Sequence, residues 1–437
     1  MVEQSRRRDL LKAIGVGGTV ALAGCLADDG DDGNGNGDGG GDGDGNETGD
    51  DDGSGDGDIG RTINLGLLMG VTGGLEELGP PIRDAAQLVP GQFDDADTEL
   101  EIQTQFEDTE TDPTVGVSGA EALDDAGYPM FVGALASAVS LEVAQSVSIP
   151  RGIVQNSPAS TAPGYSDLEA DFTFRTAVPD SFQGEVLAQI AAERLEAGSA
   201  ATLAQDDAYG QGLSGTFADS FESDFGGTIT GSEIFPEGQT SYTAQLESLL
   251  ADDPDTLLIV AFPEDGERIF SDFYTNFDRP DMDILVADGL QDSGLPDAVG
   301  FDMTNVTGTA PIGSGPGVDT FNQLYQDAYD EDPTGQPFVR QAYDAAASLV
   351  LANAAAGENE GEAVRDEIRN VTSSGGEEVL PENLVEGAEL AAQGEEIQYR
   401  GVSGEITYDE NGDQSNIAYE YFGFTEDGLE EIETIQL

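Results

Sequence analysis

The chain has 437 residues, 88 of them acidic and 15 basic, giving a formal charge of −73, with no histidine, no tryptophan and one cysteine. The missing histidine excludes His-based triads and His zinc sites, and so acidic a surface repels nucleic acid. The lone cysteine excludes an internal disulfide. Self-repulsion of this size is screened in molar salt, where the Debye length falls to about 3 Å, so the composition points to a high-salt cell.

The N-terminus reads as an export signal. Arg6, Arg7 and Arg8 precede a short apolar run, and Leu22-Ala23-Gly24 leads into Cys25. The paired arginines followed by Asp-Leu-Leu-Lys resemble a twin-arginine signal, and Cys25 stands where a lipid-modified cysteine would. Residues 1–24 are thus the expected signal, with a lipid anchor at Cys25. Residues 25–61 are mostly Asp and Gly and form the expected acidic tether, reaching ~30 Å as a random coil. Its Asp-Gly pattern lacks the glycine and flanking helices of an EF-hand loop, so no calcium site is expected there.

From residue 62 the pattern changes to buried-type strands alternating with helices, which predicts a mainly parallel sheet covered on both faces. Residues 63–69 form a strand that ends in a Thr-Gly-Gly turn, and a helix runs over residues 80–93. A second strand, residues 100–106, ends in Glu107-Asp108, and Pro113 opens the next helix. Residues 130–133 form a strand, a helix runs to about residue 147, and a short strand covers residues 152–154. The turns after these two strands carry Ser137, Ser160 and Thr161. Short hydroxyls beside free backbone N–H groups suit a small carboxylate. Taken singly, Ser137 reads better as an ordinary helix cap, and Ser160 and Thr161 as ordinary turn residues.

A second set of the same kind has strands at residues 200–204, 228–235, 256–262 and 284–287. A strand at residues 306–309 and three helices follow. A closing hairpin is expected between residues 404–408 and 418–424, around Asp409-Glu410-Asn411-Gly412. Asp409 to Asp413 could imitate a calcium loop, but Asn-Gly is foremost a turn. Asn46, Asn305 and Asn370 begin N-x-T sequons.

Taken together, the segments INLGLLMGVTGG, FEDTETDP, GALASAVS, NSPASTAP, QDDAYGQG, DPDTLLIVAF and YDENGD, in this order and spacing, resemble the branched-chain amino-acid-binding family of solute-binding proteins that serve ABC transporters. The likeness covers about residues 63–424. It implies an α/β fold of two doubly wound parallel-sheet lobes joined by three crossings. Lobe 1 would hold residues 62–178 and 307–402, and lobe 2 residues 179–306 and 403–437. It further implies a monomeric receptor without cofactor or metal, tethered outside the membrane and handing an amino acid to permease and ATPase subunits. Ser137 and Thr161 would bind the ligand's α-carboxylate, with Ser160 offering its backbone or hydroxyl. Tyr209 stands at the family's cleft tyrosine, and Phe262 where a tyrosine is frequent. Asp288 takes the place of a glutamate that pairs the α-ammonium, and Leu78 that of an aromatic wall residue. An amide, urea or aromatic acid as ligand, and a sensory module, remain open readings of the same fold. A hydrolase working with paired carboxylates has no supporting motif.

Overall fold

The first strand, β1 (Arg61–Met69), is buried on both faces over its last five residues, as a strand must be when helices cover both sides of its sheet. The computed structural model describes residues 59–168, 171–373, 375–415, 417–425 and 428–436. The expected signal, Cys25, nearly all of the tether and the Asn46 sequon lie outside them.

Five parallel strands make the first sheet in the order β2-β1-β3-β4-β5, with β2 (Leu100–Asp108), β3 (Met130–Gly133), β4 (Val154–Ser157) and β5 (Thr173–Arg175). The second sheet runs β14-β13-β10-β9-β8-β6-β7. Its parallel part comprises β6 (Ser199–Gln205), β7 (Thr228–Phe235), β8 (Thr256–Val260), β9 (Asp283–Val286) and β10 (Val306–Pro311). A small sheet pairs β11 (Glu377–Val379) with β12 (Ile397–Tyr399). Strands β13 (Ala418–Thr425) and β14 (Gly428–Gln436) add antiparallel to β10.

Read from β7 to β10, the second sheet repeats the order of the first. In this order the chain reverses direction across the sheet between β1 and β3, and again between β6 and β8. Ligands of open α/β sheets lie outside the carboxyl ends of the strands at such switch points. The fold therefore selects the segments after β1, β3, β6 and β8 before any side chain is considered.

In the first lobe, the helix Val339–Ala356 is alanine-rich and buried on almost every side, and it packs on β1, β3, β4 and the helix Gly79–Asp94. Small residues allow that close approach to a sheet already crowded with Leu65, Leu67, Phe131 and Val132. Asp344, within this helix, accepts from Val402 N at 2.8 Å, Ser403 N at 2.6 Å and Tyr399 Oη at 2.6 Å. These bonds hold residues 399–403 against the helix, and burial pushes the Asp344 carboxyl up to about 6.

Four expectations change. Arg61 already pairs with Leu100 and donates to Asn353 O at 2.9 Å, so the folded part begins before residue 62. The strand expected at residues 152–154 is β4, two residues later, because Gly152 is left-handed (φ 70°) and ends the preceding helix. The closing hairpin is β13–β14. Residues 404–408 do not pair with β13; instead Tyr408 packs edge-on to Phe174 at 5.2 Å, and Arg175 N donates to Gly412 O at 2.9 Å. The lobe boundaries move with these contacts, from 306/307 to about 311/312 and from 402/403 to about 417/418.

Candidate functional site

Most segments around the cleft follow the carboxyl end of a strand. Leu75 and Leu78 come after β1, Leu135, Ala136 and Ser137 after β3, and Ala159 after β4. From the other lobe come Tyr209 after β6, Phe262 after β8, and Asp288 with Gly289 after β9. Ile82 and Phe338 complete the wall. The lobes meet closely here, leaving about 20 Å³ open to the centre of a water molecule. That is room for one water and not for an organic ligand, so entry requires the lobes to part.

Two turns of the first lobe are bound to each other. Ser160 Oγ donates to Leu135 O at 3.1 Å and meets Ser140 Oγ at 2.6 Å, while Ser160 N donates to Ser157 Oγ at 2.9 Å. Both groups expected to meet the ligand at Ser160 are thus spent on tying the turns together. Ser137 does line the cavity, and its Oγ accepts from Ala162 N at 3.2 Å. Thr161 is fully buried and its Oγ1 has no partner.

Arg175, absent from the sequence expectations, organises this pair of turns. Its guanidinium is fully buried and donates to Ser160 O at 3.1 Å, Ala162 O at 3.0 Å and Ser166 Oγ at 2.7 Å. Its Nε pairs with Asp413 at 2.5 Å. Five donors in a rigid fork let one side chain hold all four partners.

In the second lobe Asp207 caps the helix Ala208–Ser223, accepting from Gly210 N at 2.7 Å, and this presents Tyr209 at the first turn. Tyr209 stacks on Phe262 with ring centroids 5.6 Å apart and planes 5° apart. Its Oη accepts from Gly289 N at 3.2 Å, so the tyrosine is fixed against the Asp288 turn. Leu78, Leu75, Ile82, Phe262 and Phe338 make the remainder apolar. Phe338 is held at φ 62°, a left-handed conformation rare for a bulky residue and of the sort that clusters at ligand sites.

Asp288 is buried, and its Oδ1 has no partner. Burial is the main cause pushing its carboxyl up to about 6, while Gln183 and Tyr209 nearby pull the other way. Asp180 was not anticipated. It opens the helix Asp180–Gln189 immediately after the first crossing, is fully buried, and neither carboxylate oxygen has a partner. Burial first and the neighbouring Asp288 second push its carboxyl well above the usual range. Thr161 lies near enough to oppose that shift but not in bonding geometry. Of the seven residues expected to bind ligand, Leu78, Ser137, Tyr209, Phe262 and Asp288 line one cavity, Thr161 lies behind it beside Asp180, and Ser160 is occupied. Among the described residues no group of three or more acidic or cysteine side chains could hold a metal ion, and no helix is long and apolar enough to cross a membrane.

Two facing lobes with a cleft at their switch points, walled by apolar groups and holding a few polar ones, define a solute-binding protein rather than an enzyme. The chain belongs to the periplasmic binding protein family, whose model matches residues 62–417. It is 26% identical over 307 residues to the chemotactic signal transduction system substrate-binding protein BasB of Halobacterium salinarum, covering 68% of this chain and 71% of that one. Its fold is similar to the crystal structure of a leucine binding protein from Thermotoga maritima, with a TM-score of 0.72 and 22% identity over 86% of this chain and 99% of that one. A solute binding protein of an ABC transporter from R. palustris, in complex with benzoate, has a TM-score of 0.68 at 14% identity, covering 86% and 96%.

Proposed function

We propose that this protein is an extracytoplasmic receptor that captures an α-amino acid with an aliphatic side chain, the branched-chain amino acids first, for import by an ABC transporter. Asp288 carries this reading. A buried carboxylate with an open acceptor atom in an otherwise apolar cleft is costly unless a cation meets it, and an α-ammonium supplies that charge with its own N–H donors. Ser137 and the backbone N–H groups of the turn after β3 suit the α-carboxylate, with Thr161 nearby. Leu78, Ile82, Phe262 and Phe338 suit a branched hydrocarbon. An aromatic acid or a neutral amide, such as the benzoate of the R. palustris protein, would leave Asp288 without a partner.

Closing on such a ligand joins groups of both lobes, so the bound state favours the closed form. The signal and Cys25 would place the receptor on the outer face of the cytoplasmic membrane, where it would act as a monomer delivering ligand to permease and ATPase subunits. The likeness to BasB favours a second reading, in which the same capture is reported to a chemotactic partner. Calorimetric titration in molar KCl with leucine, isoleucine, valine, phenylalanine, glutamate, urea, acetamide and benzoate tests the ligand class. Tight binding of an aliphatic amino acid, lost in Asp288→Ala, supports it; benzoate or amide binding that survives the substitution overturns it.

A further inference from the structure

The hinge holds a cation that the fold does not satisfy. Arg340 stands at the start of the helix Val339–Ala356 in the first lobe, two residues after the cavity-lining Phe338. Its Nε is buried without a partner, and among the described residues its other nitrogens reach Gly313 O and Asn322 Oδ1, each at a long 3.4 Å. The same fork on Arg175 holds four partners closely. Gly313, just past the second crossing, seats the arginine stem, since a β-carbon there would strike Arg340 Cδ. Glu420 faces this cation from the second lobe. It lies on β13 opposite Ala310, and Ile312 N donates to Ala418 O at 3.1 Å, so the second and third crossings run side by side. Glu420 Oε2 accepts from Gln291 Nε2 at 3.0 Å, and Gln291 N donates to Asp288 O at 3.0 Å, so Glu420 grips the turn that carries Asp288. The two charges feel each other. Burial lowers the Arg340 guanidinium, which Glu420 first and Asp332 second oppose. Burial raises the Glu420 carboxyl; Gln291 and Arg340 pull it down and Glu431 pushes it up.

Opposite charges on two lobes, partly buried and incompletely bonded, attract most strongly when closure keeps water from between them. We propose that Arg340 and Glu420 form an electrostatic latch between the lobes, which favours the closed form and steadies the Asp288 turn, with neither residue touching the ligand. Neither lines the cavity. Parting the lobes admits water and salt to the pair, and the attraction falls away. Through Gln291 the latch holds the turn of Asp288 in the second lobe, and through the short link to Phe338 it holds the facing wall in the first. Both are therefore positioning residues. A pair that favours closure raises affinity for whatever solute fills the cleft, because the ligand then supplies less of the closing free energy. Its place at the hinge, where both groups are partly buried, leaves it incompletely screened even in molar salt.

The inference rests on the solute-receptor reading but on no particular ligand, so it is tested with and without one. Amide hydrogen exchange of the ligand-free full chain in molar KCl is compared for wild type, Arg340→Gln, Glu420→Gln, the double variant and Arg340→Lys. Residues 134–138 and 286–292, at the two cleft walls, are expected to exchange ~3- to 10-fold faster in each single Gln variant, while the core strand β8 is unchanged. The double variant should exchange no faster than the faster single one, because the second substitution removes an attraction already lost. Arg340→Lys keeps the charge and is expected to stay within ~2-fold of wild type, which separates the latch from packing of the arginine stem. Calorimetric titration with leucine is expected to follow the same pattern, ~3- to 10-fold weaker in each single Gln variant and no weaker in the double. Unchanged cleft exchange in both single variants, or losses that add in the double variant, overturns the latch. Wild-type protein that ignores leucine overturns the amino-acid reading, and the exchange measurement still decides the latch.

Discussion

Replacing Asp288 with asparagine should strengthen the fold and ruin the site together. In the ligand-free protein the Asp288 carboxyl is pushed from 3.8 up to about 6, chiefly by burial. The folded state therefore holds the proton more tightly than the unfolded chain, and stability is lost as pH rises through the folded value. A shift of about two units corresponds to ~3 kcal/mol at pH 8, present in full above the folded pKa and absent below the unfolded one. Asp288→Asn removes that burden while keeping the shape. Urea unfolding in molar KCl should show the variant more stable by up to ~3 kcal/mol at pH 8, the difference shrinking toward zero near pH 4. The same variant should bind leucine ~10- to 100-fold more weakly, since a hydrogen bond between charged groups is worth about 1.5–3 kcal/mol. A variant less stable than wild type at pH 8, or a difference that ignores pH, would refute the reasoning about this carboxylate.

Arg175→Ala should cost about 3–5 kcal/mol in urea unfolding, because it strands Asp413 and frees the carbonyls of Ser160 and Ala162. Arg175→Lys should recover little of this, lacking the fork that reaches four partners. Phe262→Ala removes the ring stacked on Tyr209 and should destabilise by about 3 kcal/mol, with weaker binding of aliphatic ligands read by calorimetry. The thermal midpoint should climb steeply as KCl is raised toward molar concentration and the Debye length falls from about 10 Å to about 3 Å. NaCl should act alike if screening is the cause.

The strand-helix alternation was legible because parallel strands buried on both faces read as unbroken apolar runs, and most of those runs are strands of the two sheets. The site segments were legible for a related reason: strand ends must turn, and the turns after β1, β3, β6, β8 and β9 carry the residues that line the cleft. What failed was local. The Asn411-Gly412 signal does mark a tight turn, closed by an antiparallel bridge between Tyr408 and Gln414, but the pairing goes no further: the turn packs on β5, and β13 pairs with β10 and β14 instead. Strand β14 is mostly exposed and rich in glutamate, so it has no apolar run to betray it. Strand β5 has only three residues. Ser160 looked like Ser137 in sequence, and only the bonds to Ser140 and Leu135 separate them.

Asp180 was hidden by composition. Among 88 acidic residues, one aspartate at the start of a helix reads as an ordinary first-turn charge, and only its burial without a partner marks it. Arg175 was missed because its significance lies in carbonyls and a carboxylate brought together by tertiary structure. Phe338 gave no signal either; its left-handed backbone is visible only in the fold.

The measurement that bears most directly on the account is calorimetric titration of leucine, and of benzoate beside it, into the wild-type protein and Asp288→Ala in molar KCl. Binding of leucine but not benzoate by the wild type, with leucine binding lost in the variant, is the predicted result. Benzoate binding in both proteins, with leucine ignored, would contradict it.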